Sequence, residues 1–211
     1  MPQTTKRPTI TGLYAITDPS LLNGDRLLTA CEQALRGGAR ILQYRDKTAS
    51  PKERLTRGKA LRALCLHYDA LFIINDDITL AAETGADGVH LGQSDGGIQE
   101  ARQQLGSQAI IGITCHGSTA LADQAAKQGA DYVAFGRFFP SHTKPHALPA
   151  ALQVLQHPLS IPKVAIGGVS HDNAPHLVRA GASALAVIHA LFASNDIETS
   201  ARHFATLFPE D

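Results

Sequence analysis

The sequence carries too few cysteines, too far apart, to be held together by them. Cys31, Cys65 and Cys115 are the only three; their odd number excludes a disulfide framework, and no Cys-x-x-Cys pair offers a zinc site. A reducing, cytoplasmic setting is the expectation. No charge of either sign is in excess, with 19 basic and 19 acidic residues. No run of like charges stands out, so neither nucleic acid nor a membrane surface is an expected partner. No apolar stretch reaches the roughly 20 residues of a bilayer span, and residues 1–9 lack the apolar core of a signal segment. The ten histidines are scattered without a His-Glu-x-x-His spacing, and no Gly-x-Gly-x-x-Gly turn follows the first strand pattern. A chain of 211 residues suits a single domain, read as 1–211 with a polar, frayed tail at 1–9.

What the sequence does have is an alternation. Short, mainly apolar strand patterns recur at 12–18, 40–44, 71–74, 88–91, 109–113, 131–135, 163–166 and 184–188, the first ending in polar residues. Helical spacing follows each, with expected helices that include 79–84, 98–105, 118–128, 150–155, 171–180 and 197–207. Ser50-Pro51 reads as an N-cap with Pro at the first helical position. Gly-Ala recurs just before strands, at Gly38, Gly85, Gly129 and Gly181, where glycine closes a helix in a left-handed cap. About eight strand–helix units at a period near 25 residues predict an α/β fold, a single (β/α)8 TIM barrel. A doubly wound sheet would show fewer units and the missing glycine fingerprint.

In such a barrel the polar residues at the C-terminal strand ends share one mouth. The densest of these ends is Gln43-Tyr44-Arg45-Asp46-Lys47. Strand alternation puts Gln43, Arg45 and Lys47 on one face and Tyr44 and Asp46 on the other. Two cations and an amide at the end of an otherwise apolar parallel strand call for an anionic, hydrogen-bonding ligand. Asn75, Asp76, His90, Asp95, Thr114 and His189 end other strands. Asp76 and Asp95 follow neighbouring strands and can share one divalent ion, with phosphate oxygens and water completing an octahedron of the kind Mg2+ prefers. The bland alternative is that each caps the following helix. Gly167-Gly168 and the end of strand eight occupy the customary phosphate site of these barrels. Residues 136–147 form a long loop in which Ser141, Thr143 and Lys144 are the candidate ligand-binding groups. Cys115 and His116 are adjacent and point apart, which argues against a nucleophilic pair.

These motifs, in this order, resemble the thiamine phosphate synthase family over nearly the whole chain. They are Gly12 to Asp18, Gln43 to Lys47, Asn75-Asp76, His90-Leu91-Gly92-Gln93 with Asp95, Thr143-Lys144, Ala165 to Gly168 and Ala186-Val187-Ile188. The resemblance implies a transferase that condenses a hydroxymethylpyrimidine diphosphate with a thiazole phosphate and releases pyrophosphate. It implies that Gln43, Arg45, Lys47, Asn75, Thr114 and Lys144 hold the pyrimidine diphosphate, with Lys144, Arg45 and Lys47 as the catalytic cations. It further implies Mg2+ on Asp76 and Asp95, and Ser141, Thr143, Gly168, Ile188 and His189 around the thiazole phosphate. The expected partners are therefore small molecules, and a homo-oligomer is compatible with the sequence. The chain departs from the family pattern in Ser141 for Thr, Thr114 for Ser, Asp77 for a basic residue, Arg137 for Pro and His189 for Ser. A thiazole tautomerase of the same fold carries a histidine near 116, but lacks the Gln-x-Arg-x-Lys strand, the Asn-Asp pair and the Thr-Lys dipeptide. A phosphate sensor has no use for two metal carboxylates.

Overall fold

Eight parallel strands close on themselves in sequence order, β1 lying between β2 and β8. The strands are β1 (Gly12–Ile16), β2 (Ala39–Tyr44), β3 (Leu71–Asn75), β4 (Gly88–Leu91), β5 (Ile110–His116), β6 (Tyr132–Phe135), β7 (Lys163–Ile166) and β8 (Ala184–Val187). Between them run α1 (Arg26–Arg36), α2 (Pro51–His67), α3 (Ile78–Thr84), α4 (Ile98–Leu105), α5 (Thr119–Lys127) and α6 (Ala174–Arg179). After β8 come α7 (His189–Phe192) and α8 (Ile197–Ala205). The computed structural model describes residues 9–141 and 148–208; within them no helix is long and apolar enough to cross a membrane.

Every strand is buried on both faces, so its residues divide between two cores. Tyr14, Ile16, Ile41, Ile73, Tyr132, Val164 and Ala186 point inward and fill the barrel. Leu13, Leu42, Phe72, Ile74, Val133 and Leu185 point outward against the helices. The inner core is mixed in size: a side chain at Gly112 would put its Cβ 2.0 Å from the Tyr132 ring, so the glycine leaves room for that phenol.

The helix starts follow local chemistry. Ser50 and Glu53 form a complete capping box on α2. Asp77, Ser118 and Asp196 accept from Leu80, Leu121 and Thr199 to start α3, α5 and α8. Two aspartates brace the opposite end of the barrel in the same way. Asp87 accepts from the Phe72 N–H and pairs with Arg62 at 2.7 Å. Asp131 accepts from the Ile111 N–H and pairs with Arg102 at 2.6 Å.

Three helical expectations need correction. The segment expected at 150–155 is a 3-10 turn, Leu152–Gln156. The helix expected from 171 begins only at Ala174, because Asn173 is drawn into the preceding turn by bonds to Ser170 N and Gly168 O. The last helix ends at Ala205 rather than 207.

Candidate active site

At the C-terminal mouth the strand ends enclose a cavity of about 430 Å³. Gln43, Arg45, Lys47, Asn75, Asp76, His90, Asp95, Thr114, Ser141, Gly168, Ile188 and His189 all line it. Thr143 and Lys144, the remaining predicted site residues, lie outside the described residues. The alternation expected of the second strand is present: Tyr44 and Asp46 turn away from this cavity, where Asp46 meets Arg57 at 2.9 Å. Arg45 is fixed by its backbone, whose N–H donates to Thr17 Oγ1 at 2.8 Å while that hydroxyl donates back to the Arg45 carbonyl.

Neither Asp76 nor Asp95 caps a helix. The cap of α3 is Asp77, which also pairs with Arg54 at 2.8 Å, and the N-cap of α4 is Gly97, with no side-chain cap bond. Asp76 adopts a left-handed backbone, φ 65°, which costs an L-residue about 1–2 kcal/mol. Its N–H donates to the His90 carbonyl at 2.8 Å, which holds it there. The turn aims the carboxylate at Lys47 Nζ, 2.9 Å away, and within hydrogen-bonding reach of Asp95. Burial alone would raise the Asp76 pKa; the bonds to Lys47 and Asp95 outweigh it and hold the carboxyl below its ordinary range. Asp95 Oδ2 accepts from Gly92 N at 2.9 Å, so its orientation is set by its own loop.

Gly167 and Gly168 both have positive φ, 97° and 67°. The close approach they permit is made by the chain itself. A Cβ on Gly167 would fall 2.2 Å from Arg137 Cβ, and one on Gly168 would fall 2.3 Å from the Pro140 carbonyl. The loop after β6 thus rests directly on the turn after β7. His189 opens the four-residue α7, with Ile188 as its cap, and faces Asp18 electrostatically. No strand pattern announces that short helix. Cys115 is fully buried and its thiol is pushed up to about 12 by burial, while His116 is exposed; the two make no catalytic pair.

Two functional candidates escaped the sequence reading. Tyr14 and Tyr132 lie on the cavity floor, buried at 1% and 0% exposure, and bond to each other at 2.8 Å. In the sequence each is one more aromatic in an apolar strand. Only its place on the inward face, beside an inward glycine at 112, could have marked Tyr132.

A closed parallel barrel with cations, carboxylates and amides gathered at its C-terminal mouth defines an enzyme of the (β/α)8 class that handles a phosphorylated ligand. Comparison with known proteins narrows this. Residues 13–191 match the family model described as thiamine monophosphate synthase, and the chain belongs to that family. A thiamine-phosphate synthase of Alcanivorax borkumensis is 60% identical over 203 residues, covering 93% of this chain and 94% of the relative. The enzyme of Saccharophagus degradans is 51% identical, covering 93% of each chain. Among solved structures, thiamine phosphate pyrophosphorylase from Pyrococcus furiosus superposes with a TM-score of 0.85 at 35% identity, covering 93% of this chain and 95% of that one. Orotidine 5'-phosphate decarboxylase from Pyrococcus horikoshii, at 14% identity and a TM-score of 0.64, shares the fold alone.

Proposed function

We propose that this mouth condenses a hydroxymethylpyrimidine diphosphate with a thiazole phosphate, or its carboxylated form, to give thiamine phosphate and pyrophosphate. The observation that carries the reading is the meeting of Lys47, Asp76 and Asp95 on one cavity wall, next to Arg45 and Gln43. An anionic leaving group needs the cations, and two carboxyl groups beside them make sense when a metal ion joins the diphosphate.

In this assignment Gln43 and Asn75 read the pyrimidine. Arg45, Lys47, Thr114 and Lys144 face its diphosphate, with Lys144, Arg45 and Lys47 stabilising the charge that develops on it. The bond between the pyrimidine methylene carbon and the diphosphate oxygen breaks, and its electron pair leaves with pyrophosphate. The thiazole nitrogen then donates its lone pair to the benzylic-type carbon. Alignment of the two substrates replaces any enzyme nucleophile, in keeping with the inert Cys115. Ser141, Thr143, Gly168, Ile188 and His189 surround the thiazole phosphate.

The donor set suits magnesium. Asp76 and Asp95 offer oxygen ligands only, and no group of three or more His, Cys, Asp or Glu among the described residues forms a dedicated metal cage. One or two carboxylates with substrate phosphates and water is the usual magnesium arrangement. When bound, the ion would offset negative charge on the departing diphosphate. Lys47 is largely solvent-exposed and its bond to Asp76 is cheap to exchange.

The test is direct: mix the protein with both substrates and magnesium, then measure thiamine phosphate and pyrophosphate. Equal amounts of the two products are expected. Binding of both substrates without product would remove the proposal.

A further inference from the structure

A single line of hydrogen bonds crosses the barrel interior beneath the cavity. Gln43 Nε2 donates to Tyr14 Oη at 2.8 Å, and Tyr14 Oη lies 2.8 Å from Tyr132 Oη. Tyr132 Oη lies 2.9 Å from His90 Nδ1, and His90 Nε2 lies 2.9 Å from Thr114 Oγ1. The line joins β2 to β5 through β1, β6 and β4, so it spans the barrel rather than following its wall.

Hydrogen counting gives this line a direction. Burial pushes both phenol pKa values up, so each phenol keeps its one hydrogen. An amide NH2 only donates, so Tyr14 accepts from Gln43 and must place its own hydrogen on Tyr132. Tyr132 has then been donated to and must place its hydrogen on His90 Nδ1. A neutral His90 that accepts at Nδ1 carries its proton on Nε2 and donates to Thr114 Oγ1. Thr114, having accepted, keeps a free hydroxyl hydrogen for the cavity. With the Gln43 NH2 on Tyr14, every other arrangement strands a phenolic hydrogen on Tyr14 or Tyr132, both all but fully buried.

We propose that Tyr14, Tyr132 and His90 are positioning residues that transmit the polarity of the Gln43 amide across the barrel, fixing His90 as the Nε2–H tautomer and Thr114 as an obligate donor. The inference rests on the reading of the site given above for its consequence. With its NH2 on Tyr14, Gln43 keeps its carbonyl oxygen to accept from an amino-substituted heterocycle. The far end of the same line presents a hydrogen to an anion. One ligand bearing an amino group at one end and a diphosphate at the other meets both polarities at once.

The tautomer is read directly, without turnover, from nitrogen-15 spectra of the histidine-labelled protein at neutral pH, with His90→Gln identifying the resonance. The expected result is the Nε2–H form in excess by roughly tenfold or more, the ratio one stranded buried donor implies. A dominant Nδ1–H form, an even mixture or an imidazolium would overturn the proposal. Kinetics give the second readout. Tyr132→Phe should raise KM for the pyrimidine diphosphate roughly fivefold to tenfold and leave KM for the thiazole phosphate within about twofold. In a Thr114→Val background the same change should add less than about twofold, because the donor it positions is already gone. Equal, multiplying losses in both backgrounds would overturn the proposal. If Tyr132→Phe does not fold, the wild-type tautomer decides by itself. Wild-type protein that shows the expected tautomer but no synthase activity would remove the functional reading and leave the tautomer assignment standing.

Discussion

Lys47 Nζ lies 2.9 Å from Asp76 Oδ2, joining the loops that follow two neighbouring strands. An exposed pair of this kind contributes only about 0–1 kcal/mol to stability, less than the left-handed turn at Asp76 costs. The arrangement therefore makes little sense as a stabilising device. It makes sense as a carboxylate held ionised and aimed, with a cation beside it that can change partners when a diphosphate arrives.

That imbalance gives a prediction in which stability and activity separate. Asp76→Gly removes the carboxylate but suits φ 65°. Its midpoint of thermal unfolding should equal or exceed that of the parent, while turnover should fall by at least about a hundredfold. Lys144→Ala should lose turnover to a similar degree with an unchanged midpoint. Near-normal rates in either variant would mean the diphosphate lies elsewhere.

Magnesium dependence follows from the Asp76–Asp95 arrangement. A chelator should abolish turnover and added magnesium restore it. Asp95→Asn should raise the magnesium concentration for half-maximal rate by about tenfold or more. An enzyme indifferent to chelation would exclude the assigned metal role of both aspartates.

His189 stands at the first turn of α7, on the side assigned to the thiazole phosphate. His189→Ser should change KM for that substrate by several-fold, about 1 kcal/mol as one donor replaces another of different reach, and leave the pyrimidine KM near its parent value. Steady-state kinetics with each substrate varied in turn decide this; a shift confined to the pyrimidine would contradict it.

The outer face of the β2 end, at Asp46, sets part of the acid stability. Burial would raise the Asp46 pKa, but N–H groups of Thr48 and Ala49, the Thr48 hydroxyl and Arg57 hold it below its ordinary range. A carboxyl depressed on folding stabilises fully above its unfolded pKa of about 3.9 and loses that contribution as pH falls through the folded value. Asp46→Ala should therefore destabilise by about 1–3 kcal/mol at pH 7. Its stability should also fall less steeply than the parent's below pH ~4. Parallel curves of denaturation midpoint against pH would show that Asp46 is not a source of the acid dependence.

The barrel was legible because its signals are local and repeated. Alternating apolar runs, Ser50-Pro51 and the Gly-Ala phrases each reflect backbone geometry that one segment settles alone. The helix starts at 174 and 189 were not legible, because the Asn173 side chain is taken up by Ser170 N and Gly168 O and the four residues of α7 are too few to show a helical spacing. The same division runs through the site. Gln43, Arg45 and Lys47 announced themselves because charge at the end of an apolar strand is anomalous in one dimension. Tyr14 and Tyr132 did not, since a tyrosine in an apolar strand looks like core until its hydroxyl has a partner.

The sequence by itself determined which strand ends carry cations and carboxylates, since a period of two and a repeat of strand and helix bring them to one mouth wherever the barrel closes. Tertiary structure decided which aspartate is free. Asp77, not Asp76, is spent on the α3 cap, because only the left-handed turn at Asp76 points its carboxylate to Lys47 and Asp95. Tertiary structure also decided the direction of the line from Gln43 to Thr114. Hydrogen-bond polarity belongs to no single residue; it emerges only when side chains 24 to 118 residues apart in the chain are brought within 2.8–2.9 Å of one another.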